Sequence, residues 1–177
     1  KPPGARAVGF HRDNAYLAWY QPREMGTCWI SLDPASAVSG TVCFSRGSHK
    51  WSTGGDPAME FHGPEDYRAP MEVAASAEGL VPELVPVEVP AGGGSFHHGW
   101  TWHGSDANRS DVHRRTLVLH CASSEARFHR PGFAEGNGPI YTQYAHAEDD
   151  MMDEAHFPVL WTVDGYRSPG LPGPPTV

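Results

Sequence analysis

Glycine and proline interrupt this chain too often for a long helix to run through it. Twenty glycines and seventeen prolines stand among 177 residues, and between them lie short runs rich in Val, Thr, Trp and Tyr. β-Branched and aromatic side chains suit a pleated, half-buried surface, and Gly and Pro supply the conformations that turns require. The pattern predicts many short strands joined by turns rather than a helical bundle. Residues 27–32 alternate and end in the turn signal Asp33-Pro34. Residues 7–11, 15–20, 40–44 and 84–89 read as further strands, and 114–121 is the clearest strand of all. Residues 53–80 lose the pattern and read as a long irregular insertion with a minor helix near 69–78; a loop that long usually serves as a lid or specificity segment. Beyond Ser123 regularity fades. The chain therefore reads as one domain, residues 1–167, with a Gly/Pro-rich tail at 168–177, and its core as all-β, a sandwich or jelly roll.

Charge narrows the partners. A formal net charge of −8 argues against nucleic acid and anionic membranes, whose binding surfaces are basic. The three cysteines, Cys28, Cys43 and Cys121, form neither a CxxC pair nor a disulfide framework, which fits a reducing cytosol. With neither a signal peptide nor an apolar run of bilayer length in the sequence, a cytoplasmic protein is expected. The opening Lys1-Pro2-Pro3-Gly4 is neither an initiator methionine nor a targeting signal, so part of the fold is expected to precede it.

The chemistry-bearing residues begin almost at once. His11 and Asp13 stand two apart next to strand-forming residues. On a strand such residues project from one face, about 7 Å apart. His103 follows far downstream in Trp102-His103-Gly104-Ser105, and then Arg114-Arg115. Two histidines and one carboxylate compose the facial triad of non-haem iron(II) oxygenases. Such a triad leaves three positions open, two for a 2-oxo acid and one for dioxygen. A buried arginine suits the far carboxylate of that acid, because its planar fork grips a carboxylate through two hydrogen bonds. His97 and His98 stand as alternatives to His103, and either could instead orient a ligand or the substrate. Adjacent strand residues face opposite ways, so only one of Arg114 and Arg115 can point inward. Apolar periodicity alone favours Arg115, which shares a face with Leu117 and Leu119; Arg114 shares one with Thr116, small enough to leave room beside a cosubstrate. His49, His113, His120 and His129 read as surface or structural histidines. Asp149-Asp150 with Asp153-Glu154 lacks the spacing of a calcium loop and reads as a solvated acidic face.

Taken together, His11-x-Asp13, Gly47-Ser48-His49 at a strand end, His103-Gly104-Ser105 with Asn108 and Arg114 after it, and Phe157-Pro158-Val159-Leu160-Trp161 resemble the phytanoyl-CoA dioxygenase family of Fe(II)/2-oxoglutarate-dependent dioxygenases. The resemblance covers roughly residues 1–167. It implies a double-stranded β-helix, a cupin-like jelly roll, with Fe(II) held by His11, Asp13 and His103. It implies 2-oxoglutarate bound by Arg114, with Trp29 lining the pocket and Ser105 hydrogen-bonding the cosubstrate, although Trp29 can equally be plain core. The implied reaction is hydroxylation of an unactivated C–H bond of a small organic molecule, consuming O2 and forming succinate and CO2, with ascorbate as a supporting reductant. Related halogenases replace the carboxylate by a small residue, so Asp13 points away from halogenation. Asn14, Tyr16, His97, Trp100 and Trp102 neighbour the ligands and are candidate substrate contacts. Family members carry a substantial segment before the HxD strand that this sequence lacks. Two rival readings remain: a non-catalytic metal-binding jelly-roll protein, and a cupin-type dioxygenase that uses no 2-oxo acid. The arginine argues against both.

Overall fold

The computed structural model of the chain describes residues 1–52 and 65–173. Its strands, in chain order, are β1 (Val8–His11), β2 (Tyr20–Gln21), β3 (Met25–Ser31), β4 (Val42–Ser45), β5 (Leu84–Pro86), β6 (Gly94–His98), β7 (His103–Ser105), β8 (Thr116–Ala122) and β9 (Arg127–Phe128). Two short α-helices, α1 (Ala69–Ala77) and α2 (Gly138–Tyr141), and four 3-10 turns complete the inventory of described elements. The chain divides into two units: Lys1–Ala15 with Glu24–Cys121, and Tyr16–Arg23 with Ala122–Val177.

The first unit carries two sheets, in the orders β1-β7-β4-β5 and β6-β3-β8. The pairs β1–β7, β4–β7, β4–β5 and β3–β6 are antiparallel. Along β3 the alternation is expressed as anticipated: Met25, Thr27, Trp29 and Ser31 are buried and the residues between them are not. Register then sets Thr27 opposite His97 and Trp29 opposite Ser95. The central strand β7 is buried throughout. Gly104 is required there, because a Cβ would lie 2.6 Å from the Phe10 ring and 2.9 Å from the Val8 carbonyl.

One apolar cluster gathers Phe10, Met71, Ala74 and Trp102, with Tyr67 and Leu84 against it. Helix α1 supplies Met71, Ala74 and Ala75 at i, i+3 and i+4, one face of a helix. Pro70 sits in its first turn, where a missing N–H costs nothing. A second cluster joins Trp29, Ala35 and Val42 to Phe44, Val87 and Val89. The helix falls where the sequence placed it. The part of the expected insertion at 53–64 lies outside the described residues, as does the end of the expected tail at 174–177.

Residues 15–20 do not form the expected strand. Residues Asp13–Tyr16 make a 3-10 turn and only Tyr20–Gln21 are extended. The Asn14 N–H donates to the Gly99 carbonyl at 3.0 Å and the Ala15 N–H to Arg12 at 3.1 Å. These bonds spend on a turn the donors a ladder would need. Strand β8 forms where 114–121 was expected, beginning at Thr116, but Leu117, Val118 and Leu119 are all exposed at the edge of their sheet.

In the second unit β2 pairs with β9, Tyr20 opposite Phe128. Trp19 organises the aromatic packing: it stacks on Tyr141 at 4.9 Å, lies 6.2 Å from Phe157, and donates its indole N–H to Asn137 at 2.7 Å. Ser168 is buried, and its backbone N–H and hydroxyl bond the backbone of Val159. Among the described residues no helix is long and apolar enough to cross a membrane.

Candidate metal centre

His11 ends β1 and His103 begins β7, and antiparallel register makes them direct partners. Their rings meet at 4.2 Å. Asp13 joins them from the 3-10 turn after β1, so a turn rather than strand alternation brings it beside His11. One oxygen, Asp13 Oδ1, stands 3.6 Å from His11 Nε2 and 3.5 Å from His103 Nε2. One ligand atom from each of the three residues lies within 4.8 Å of the others.

The outer nitrogens fix the tautomers. His11 Nδ1 is 2.7 Å from the Gly9 carbonyl, and His103 Nδ1 is 2.9 Å from that of Thr101. A carbonyl only accepts, so each Nδ1 carries the proton and each Nε2 presents a lone pair. Burial pushes the His103 pKa down to about 3, aided by His11 and partly opposed by Asp13, which keeps the ring neutral. Burial alone would raise Asp13, yet its contacts with His11, His97 and His103 outweigh this and hold the carboxyl well below the usual carboxylate range. With both rings neutral, three lone-pair donors converge here, which is the donor set a divalent cation requires.

The remaining candidates fall around this centre unequally. His97 points inward: its Nε2 approaches Asp13 Oδ2 at 3.3 Å, and its buried Nδ1 has no hydrogen-bond partner among the described residues. His98 is exposed and accepts the Trp100 N–H at 3.1 Å. Arg114 is buried, with its guanidinium carbon 5.6 Å from the centre of the Trp29 ring. Its Nε is unpartnered among the described residues, and burial lowers its pKa. Arg115 turns out to solvent, where Asp33 takes its guanidinium at 2.7 and 3.0 Å and its backbone N–H at 2.7 Å. That capture by Asp33, together with the exposure of Leu117 and Leu119, explains why apolar periodicity misjudges the pair. Ser105 is buried, and its hydroxyl accepts from Lys1 Nζ at 2.6 Å. Asn108 clamps the connection after β7, donating to the Lys1 and Val112 carbonyls.

Asn14 is wholly buried beneath Gly99, where any side chain would run into its amide oxygen. Trp100 and Trp102 each stand 5.0 Å from the Arg12 guanidinium. Tyr16 belongs to the second unit, its carbonyl accepting the Asn137 N–H.

The family model for phytanoyl-CoA dioxygenase matches residues 1–116, which include both histidines, the aspartate and Arg114. The chain belongs to that family. No curated protein matches it in sequence. Among solved structures it is similar to the epimerase SnoN in complex with Fe3+, alpha ketoglutarate and nogalamycin RO (21% identity, TM-score 0.54, 74% of this chain and 48% of that one). It is similar also to the non-heme monooxygenase ThoJ (21%, 0.52, 71% and 44%). A third is EvdO2 from Micromonospora carbonacea var. aurantiaca, complexed with 2-oxoglutarate (22%, 0.51, 68% and 47%). At these identities the likeness shows a shared fold. The chain spans less than half the length of each.

Within this family member, two residues near Asp13 escape sequence reading. Thr27 Oγ1 donates to Asp13 Oδ2 at 2.8 Å, and His120 Nδ1 lies 3.1 Å from the same hydroxyl. Alternation along β3 places Thr27 on the face of Trp29, the only sequence signal available for it. His120 reads as a surface or structural histidine, and no local pattern ties it to a site 107 residues upstream.

Proposed function

We propose that this chain carries the catalytic site of an Fe(II)- and 2-oxoglutarate-dependent dioxygenase that hydroxylates a C–H bond of a small organic molecule. The observation that carries the reading is the convergence of His11 Nε2, Asp13 Oδ1 and His103 Nε2. These three would hold the iron. When bound, iron with 2-oxoglutarate and O2 supplies the oxidant for C–H cleavage, the cosubstrate leaving as succinate and CO2.

The chain's own residues then have distinct tasks. Arg114 is a buried cation with no carboxylate in ion-pair range among the described residues, an expensive state unless an anion completes it. The distal carboxylate of 2-oxoglutarate would do so, with Trp29 as the wall beneath and Ser105 as a hydroxyl partner. This unpaired guanidinium favours 2-oxoglutarate use over the cupin-type alternative. With Nε2 donating to Asp13, His97 Nδ1 is an acceptor, suited to a hydroxyl or N–H on the substrate. Asn14, whose N–H holds the Gly99 carbonyl, and Trp100, which stands over the Arg12 guanidinium, would border the substrate. The double-stranded β-helix implied by the family resemblance would provide the frame. Three free cysteines accord with a cytoplasmic location.

The test is succinate formation from 2-oxoglutarate by the full chain with Fe(II) and ascorbate, alongside calorimetric binding of metal and cosubstrate. Turnover of 2-oxoglutarate is expected. Metal binding without cosubstrate binding would favour the non-catalytic metal protein, and binding of neither would end the dioxygenase reading.

A further inference from the structure

The two oxygens of Asp13 are treated differently by their surroundings. Oδ1 faces the two Nε2 lone pairs, whereas Oδ2 is held by Thr27 at 2.8 Å and His97 at 3.3 Å. Thr27 and His97 are register partners across β3–β6, so both reach Asp13 from one sheet. Thr27 is 2% exposed and the His97 side chain 5%, so water does not compete for these bonds. An ionised carboxylate only accepts, so the single Thr27 proton goes to Oδ2. Its oxygen is then left to accept from His120 Nδ1–H at 3.1 Å, which fixes the hydroxyl rotor.

We infer that Thr27 is a positioning residue that holds Asp13 so that it offers a bound metal one oxygen rather than two. The inference rests on the metal reading above. Two histidines and a single carboxylate oxygen leave three of six octahedral positions open. A carboxylate free to turn would present both oxygens and take one of those three. Two-point chelation by a 2-oxo acid together with dioxygen needs all of them. Thr27 and His97 occupy the Oδ2 lone pairs and block that turn; His120 supports Thr27 from the partly exposed side.

The experiment uses the full chain loaded with Co(II), whose visible absorption reports coordination number, and measures 2-oxoglutarate affinity on the metal-saturated protein. Thr27→Val is expected to bind 2-oxoglutarate about tenfold more weakly and Thr27→Ser within about twofold of wild type, in line with the effect of outer partners on ligating carboxylates. His120→Ala, at a half-exposed position that the core does not need, should weaken it about threefold, because the hydroxyl loses only its orienting donor. A Thr27→Val chain with wild-type 2-oxoglutarate affinity overturns the inference, even where its Co(II) affinity falls. If Thr27→Val does not fold, His120→Ala decides, and unchanged affinity there overturns it equally. A wild-type chain that takes up no Co(II) removes the metal reading and this inference with it. Wild-type binding with an unaffected Thr27→Val removes the inference alone.

Discussion

Among the described residues, two regions bring a carboxylate to a histidine, and they teach what separates a ligand group from a neighbourly contact. In the first unit Asp13 lies 3.6 Å from His11 and 3.5 Å from His103, with its side chain 10% exposed. In the second, Asp153 lies 3.4 Å from His146, and both side chains are open to solvent. The distances are alike; the surroundings are not. Asp153 is satisfied locally by the Ala155 N–H at 2.9 Å, and that bond is the largest cause of its lowered pKa. Asp13 is instead surrounded by rings whose outer nitrogens are tied to backbone carbonyls, so their inner lone pairs have nowhere else to point. Proximity of acid and imidazole is common on a surface; oriented lone pairs with water excluded are not.

The sharpest way to break that contrast is to remove one ring from each region. His103→Ala should weaken Co(II) or Fe(II) binding by more than the roughly 100-fold that loss of an outer partner can cost, as read by calorimetry. His146→Ala should leave metal binding unchanged. Equal effects would show that the two groupings do not differ as described.

The adjacent arginines give the next largest effect. Arg114→Met should lower 2-oxoglutarate affinity by roughly 10- to 100-fold, the value of a charged hydrogen-bonded contact of about 1.5–3 kcal/mol. Arg115→Met removes only the exposed pair with Asp33 and should leave that affinity as it is. Titrating the metal-loaded variants with 2-oxoglutarate checks both.

Acid should also separate the two regions. His103 titrates near 6.5 when unfolded and near 3 in the folded, metal-free chain. Between those values the unfolded state binds the extra proton, so stability falls as pH drops from about 6.5 toward 3. The slope from this one residue reaches at most about 1.4 kcal/mol per pH unit. Urea unfolding of the metal-free chain across that window should show the decline, and His103→Gln should flatten it. His146→Gln should not. The smallest effect belongs to Asp153→Asn, where the loss of an exposed contact should leave both the melting temperature and metal affinity close to wild type.

Much of this protein was determined along the chain. Alternation in β3 set which side chains are buried, because a two-residue period is a local property of the backbone. The minor helix expected near 69–78 also formed, at Ala69–Ala77, with Met71, Ala74 and Ala75 on its buried face. His11, Asp13 and His103 were legible as a set because few chemistries need those residue types together, whereas local period left Arg114 and Arg115 open and the family resemblance pointed to Arg114. Tertiary structure decided what local period cannot carry. The Asn14–Gly99 bond turned the chain after His11 and delivered Asp13 from a 3-10 turn instead of a strand. Asp33, 82 residues away in sequence, drew Arg115 outward while Arg114 stayed buried. Thr27 and His120 gained a place beside Asp13 only when β3 and β8 came to share a sheet. Local period says which way a side chain points; what it meets there depends on partners that lie far off along the chain.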